Sequence, residues 1–176
     1  DPIIYSFEPL PKEFNEIIKK ETEKIKCFNF AFGDKDEEKT FNAHNLSHLS
    51  SFNRYDDQLN HTYKQHKVKI KTLDNFIKNQ KNLNRIDFLK IDTQGYEENI
   101  LEGGKDSIKN NIFKIIEIEL QVGNLYKEGH KNFIDLEKHL VKNNYRLISI
   151  DRFGNLLQNP YLEFNLIYVC KNDFNI

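Results

Sequence analysis

An apolar run, Ile86, Phe88, Leu89 and Ile91, ends abruptly in Asp92, and Thr93, Gln94 and Gly95 follow before an acidic helix start. This pattern aims a carboxylate out of the end of a buried strand. Two uses compete for it. Asp92 or Thr93 can cap the next helix by accepting from its first N–H groups. Alternatively Asp92 serves as a general base, a partner for a cationic ligand or a metal ligand. Glu8, in YSFEP, ends a second apolar run, and Pro9 turns the chain at once. A carboxylate in that place can accept hydrogen bonds from both hydroxyls of a ribose, or simply sit where a strand meets solvent. Glu117 and Glu119 interrupt a third run, IIEIEL, and lie two apart, hence on one face of a strand. An unpaired buried carboxylate is expensive, so at least one of them needs a partner or must reach the rim. Glu119, nearer the strand end, is the site candidate. Glu97 falls in the first turn of the next helix, where the macrodipole favours it.

Other chemistries find no support. His44 and His48 are four apart, but HNLSHLSS does not read as a helix, and no HExxH or CxxC occurs. No GxSxG nucleophile elbow is present. Cys27 and Cys170 sit in the apolar runs IKCFNFAF and NLIYVC and read as reduced core thiols.

The elements that must position the carboxylates alternate. Strands are expected at 3–8, 26–34, 67–73, 86–92, 114–120, 145–151 and 164–170, with helices at 11–25, 73–80, 97–110 and 132–144. Pro11 suits a helix start. The stretch 35–66 is polar and reads as a long loop with an irregular strand in KTFNAH; loops of that length are usually functional or disordered. Gly154-Asn155 has turn chemistry and makes the last two strands an antiparallel pair. Alternation of this kind implies an α/β domain with a largely parallel sheet. Ligands then bind outside the carboxyl ends of the strands, so Glu8, Asp92 and Glu119 share one rim.

The 176 residues suit a single domain spanning 1–176. With 26 basic and 27 acidic residues the net charge is −1, and no overall field favours nucleic acid or an anionic membrane. No stretch is long and apolar enough to cross a bilayer, and no signal peptide is evident, so the expected location is cytoplasmic.

YSFEPLPKEF, KTLDNFI, IDFLKIDTQGYEENILEGGKDSI and IIEIEL, in this order, resemble the FkbM-family methyltransferases. The resemblance runs from Tyr5 to about Val169, and FLKIDTQGYE is its most specific part. It implies a Rossmann-like methyltransferase fold that uses S-adenosylmethionine, with strand order 3-2-1-4-5-7-6 and an antiparallel last strand. Residue by residue, Glu8 would bind the ribose of S-adenosylmethionine. Phe32, Gly33 and Asp34 would lie along the adenine. Asp92 would stand beside the methionine part or the acceptor hydroxyl. The implied reaction is O-methylation of a sugar, a glycan or a natural-product hydroxyl, with Asp92 as base or positioning group. A divalent cation held by Asp92 and Glu119 is the less favoured route. Tyr126 and His130, in QVGNLYKEGHKNF, would contact the acceptor. The family's first motif, a strand with a glycine-rich Asp-Val-Gly-Ala-Asn-x-Gly-type loop, would precede Tyr5 and is absent. The chain starts at Asp1 and contains no Met, so an N-terminally truncated domain is expected, with a gap between strands 2 and 4 or those strands forced together. Two rivals use the same residues: a degenerate methyltransferase fold acting as a binding or scaffold module, and another nucleotide-using enzyme.

Overall fold

The computed structural model describes residues 2–44, 50–53, 63–81, 83–122, 133–153 and 162–174. The chain begins with β1 (Ile4–Phe7), α1 (Pro11–Ile17) and β2 (Ile25–Phe28), and β1 and β2 pair in parallel. Tyr5 and Phe7 alternate onto one face of β1. There their rings join Phe28, Phe30, Phe32 and Phe76, with Phe7 only 4.5 Å from Phe32 and edge-on to Phe76 at 5.0 Å. The opposite face meets α1, whose Ile17 carbonyl accepts from Cys27 Sγ at 3.4 Å. Both Cys27 and Cys170 are free thiols.

The expected strand 26–34 is interrupted. β2 ends at Phe28, and a separate β3 (Ala31–Phe32) leaves to pair in parallel with β5 (Tyr63–Lys71). The cause is local. Asn29 Nδ2 bonds back to the carbonyls of Glu8 and Pro9, at 2.9 and 3.2 Å, and takes that residue out of the ladder. The polar region after Asp34 is also more ordered than its composition suggests. β4 (Glu37–His44) pairs antiparallel with β5 along its full length, burying Phe41 against Val68 and Leu10.

α2 (Leu73–Asn79) starts at an N-cap, Thr72, which accepts from Asn75 N. Asp74 does not cap this helix. It reaches across to accept from Asp106 N, Ser107 N and Ser107 Oγ, the last at 2.6 Å. Those groups open α4 (Lys105–Lys109), so the single helix expected over 97–110 is two. α3 (Glu97–Gly103) stops first, and Gly104 ends one helix and opens the other.

β6 (Ile86–Ile91), β7 (Phe113–Val122), β8 (Tyr145–Phe153) and β9 (Leu162–Cys170) form one sheet in the order β6-β7-β9-β8. β7 is parallel to β6, and β9 is antiparallel to both of its neighbours. This matches the 4-5-7-6 half of the expected order. The expected Gly154-Asn155 turn lies outside the described residues. Ile91, Ile116, Ile118, Leu166 and Tyr168 line one face, packed with Ile100, Leu101 and Ile108 of α3 and α4 and with Leu136 and Leu140 of α5 (Phe133–Lys142).

One mostly parallel sheet is therefore corrected, among the described residues, to three separate sheets, β1-β2, β3-β5-β4 and β6-β7-β9-β8, with parallel and antiparallel pairs in equal number. Among the described residues, no ladder joins β1 to β6.

Candidate active site

Asp92 directly follows β6. Its side chain is 39% exposed and does not cap α3, whose N-cap is Tyr96. The turn before that helix is unusual. Gln94 and Gly95 both take left-handed conformations, with φ of 56° and 92°. Glycine adopts this freely, but glutamine needs support. The support comes from both sides. Below, Glu97 is 6% exposed, and its Oε1 accepts from Thr93 N, Thr93 Oγ1 and Gly95 N at 3.0–3.1 Å. Above, Ser51 Oγ and Asn53 Nδ2 donate to the carbonyls of Gln94 and Gly95, each at 2.7 Å. Phe52 lies 4.4 Å from the Tyr96 ring, whose hydroxyl meets Lys39 Nζ at 3.0 Å. Asp92 is thus carried on a braced turn.

Parallel pairing sets its neighbours. Ile91 is in register with Ile118 and Lys90 with Glu117, so Asp92 and Glu119 stand side by side on the face away from the core. Lys90 Nζ lies 3.3 Å from Glu117 and 3.8 Å from Asp92. Glu117 therefore has its cation, and Glu119 is left beside Asp92. Burial first, and then the adjacent Asp92, push the Glu119 carboxyl up to about 8. At neutral pH it is held as the neutral acid.

A stability consequence follows from that raised value. A carboxyl at 4.5 in the unfolded chain and near 8 in the fold lends stability below 4.5. That contribution is lost as pH rises through 8. Glu119 is only half buried, so solvent screening keeps the effect modest. We expect Glu119→Gln to remove much of the decline in thermal midpoint between pH 6 and 9, and to melt about 2–4 °C above the parent at the alkaline end. Thermal melts across that range check this; parallel profiles for the two proteins would refute the raised value.

Glu8 ends β1, as its position in the sequence implies. Its Oε1 accepts from Leu10 N at 2.8 Å, and its backbone N–H donates to Phe28 O. Burial raises its carboxyl, although the Leu10 bond opposes this. Gly33 is buried, and Asp34 is exposed and accepts from Asn99 Nδ2 at 3.3 Å. Phe32 is 9% exposed, with its ring committed to the aromatic cluster. The structure therefore brings Asp92 and Glu119 together, and places Glu8 on a separate sheet. Tyr126 and His130 lie outside the described residues. Among the described residues, no group of three or more His, Cys, Asp or Glu side chains is arranged to hold a metal. A surface cavity of about 520 Å³, lined by Glu137, Val141, Tyr145 and Arg146, opens at the start of β8, the end of the sheet away from the carboxylates.

A family model described as the methyltransferase FkbM domain matches residues 2–147. The chain belongs to the FkbM methyltransferase family. The match includes Glu8, the Asp92 turn and Glu119. No curated protein and no solved structure matches the chain. Membership makes the protein a methyltransferase in general terms, with a small-molecule acceptor as the implied partner. No helix among the described residues is long and apolar enough to cross a membrane. The brace on the Asp92 turn was not legible in sequence, because Ser51 and Asn53 lie over forty residues away in polar chain.

Proposed function

We propose that this FkbM-family domain is Rossmann-like and transfers a methyl group from S-adenosylmethionine to a hydroxyl of a sugar, glycan or natural product. The observation that carries the reading is the placement of Asp92, just past the carboxyl end of β6, beside Glu119 of the adjacent parallel strand β7, within the residues the family model matches. Ligands of open α/β sheets lie outside such ends.

The residues fit the donor. Glu8 and Asp92 directly follow β1 and β6, two strands that no ladder joins among the described residues. Glu8 offers a carboxylate for ribose hydroxyls, and Asp92 offers negative charge near a cationic centre. S-adenosylmethionine, when bound, supplies an electrophilic methyl group. The chain's own tasks are to align the acceptor oxygen and to take its proton. Asp92 takes that proton, and the braced turn fixes where it stands. Glu119, kept neutral, spares the site a second negative charge beside the base.

The test is calorimetric titration of the full chain with S-adenosylhomocysteine, alongside Glu8→Ala. The expected result is saturable binding that weakens by about tenfold or more in the variant, the loss of charge-assisted hydrogen bonds. A folded parent that shows no binding overturns donor use and favours a scaffold role for this fold.

A further inference from the structure

β8 ends the four-stranded sheet: among the described residues it pairs with β9 and has no ladder on its other side. Folded proteins guard such an edge with lysine, proline or brevity. β8 is nine residues long and contains neither Lys nor Pro. Its middle, Leu147 to Ile150, is uncharged, and Ile148 and Ile150 are 56% and 54% exposed. The helix beside it repeats the pattern. α5 turns Leu136 and Leu140 into the core and leaves Ile134 and Val141 exposed, seven apart and hence on one flank. That flank faces the start of β8, because Glu137 and Val141 line the cavity of about 520 Å³ together with Tyr145, Arg146 and Leu147. Four of the eight exposed large apolar side chains among the described residues therefore lie along one edge of the molecule.

Charge says what fits this edge. The stretch RLISID, 146–151, carries a cation at one end and an anion at the other. Arg146 is opposite Val169 and Asp151 is opposite Asn165, four apart on β9, so both charges stand on one face of the sheet. Residues five apart in a regular strand point to opposite faces, and the irregularity between Leu147 and Ser149 takes up the extra residue. Leu147 and Ile150, opposite Tyr168 and Leu166, share the other face, on which α5 lies. Arg146 and Asp151 are both exposed, and neither is in an ion pair among the described residues; Asp151 accepts only from Ser149 Oγ, at 3.0 Å. A second β8 laid antiparallel, with a two-fold axis passing between Ile148 and Ser149, sets Arg146 opposite Asp151 and Leu147 opposite Ile150, each of them twice. The same operation brings Ile150 of the partner subunit to the groove that Val141 and Leu147 line.

We propose that β8 and the Ile134–Val141 flank of α5 form a two-fold interface between two copies of this chain, joining their four-stranded sheets edge to edge. The order of charge along RLISID is self-complementary, so a like strand satisfies both charges at once. An interface of this symmetry closes at two copies and consumes the β8 edge of each. It lies at the opposite edge of the sheet from β6, so Asp92 is left free of it. The inference goes beyond the methyltransferase reading and does not depend on it.

Sedimentation equilibrium of the full chain tests this over roughly 1–200 µM, the range in which a small interface assembles. The expected result is a reversible shift from one chain of 21.0 kDa to twice that mass, with a dissociation constant of about 10 µM. Arg146→Asp and Asp151→Arg are each expected to weaken the dimer about tenfold or more, because each sets like charges opposite one another twice. Mixed in equal amounts, the two variants carry complementary edges and should form a mixed dimer about as tight as the parent. Ile150→Lys should weaken association by a similar factor, and circular dichroism melts of all three variants should match the parent, since these side chains are exposed. A parent that keeps the mass of one chain to the top of the range overturns the inference without any variant, and leaves the methyltransferase reading standing. So does a dimer whose constant ignores both charge changes, or a mixture that associates no better than the separate variants.

Discussion

Replacing Asp92 with asparagine is expected to lower kcat by about 10²- to 10⁴-fold, the usual contribution of a positioned general base. Asparagine has the same shape and keeps an oxygen for Gln94 Nε2, which donates to Asp92 Oδ1 at 3.5 Å, and the shorter bonds that brace the turn bypass the Asp92 side chain. Glu97, Ser51 and Asn53 bind Thr93, Gln94 and Gly95, so the fold survives the change. What disappears is the proton acceptor. Two further effects separate this outcome from simple damage. The thermal midpoint should stay close to that of the parent. Glu119 should titrate nearer the ordinary carboxylate range, because the charge beside it has gone, and the alkaline decline in stability should shrink as it does in Glu119→Gln. Methyl transfer, thermal melts and pH profiles on one preparation decide the matter. Full turnover by Asp92→Asn would sink the proposed role.

The second large effect is structural. Gly103 ends α3 with its Cα against the backbone that follows β3. A Cβ built there stands 1.9 Å from the carbonyl oxygen of Gly33 and 2.9 Å from its carbon. The obstacle is backbone, which cannot swing aside as a side-chain tip can. Gly33 is itself fixed by its N–H to Lys71 O at 3.0 Å and by the packing of Ile70 and Tyr96 around it. Gly103→Ala must push α3 off the β3–β5 sheet, at a cost of about 3 kcal/mol, the upper end for overpacking a close contact. For a chain of this size that lowers the thermal midpoint by about 6–12 °C. Calorimetry or circular dichroism melts measure it. A variant melting within about 2 °C of the parent would mean that helix and sheet are not in this contact.

Those two residues differ in how openly the sequence announces them. Asp92 is legible because a run of apolar residues stops at a carboxylate and a glycine follows, and strand and turn are both local patterns. Gly103 is not, because its requirement comes from Gly33, seventy residues earlier, and composition shows only a glycine near a helix end. The same division runs through the fold. β6, β7 and β9 are largely apolar runs and stand where periodicity puts them. β4 hides in charged sequence because its stability comes from pairing with β5. The break after β2 depends on Asn29 bonding to Glu8 and Pro9, and nothing in CFNFAF signals it. Within the site, the choice of Glu119 over Glu117 followed from strand position alone, and register added the reason, since Lys90 neutralises Glu117.

The separation of the β1-β2 ladder from the four-stranded sheet, as it stands among the described residues, also sets the order in which this chain comes apart. Among the described residues, β1 and β2 bond through the backbone to each other and are held to the rest by packed rings. They form a unit that can open and expose its amides without breaking a rung of the four-stranded sheet. β7 and β9 are laddered on both sides and exchange last. Glu8 therefore rides on the element that loosens first, while Glu119 is anchored in a strand laddered on both sides and Asp92 follows the strand paired to it. The nucleotide end of the proposed site breathes while its proton-transfer end stays closed.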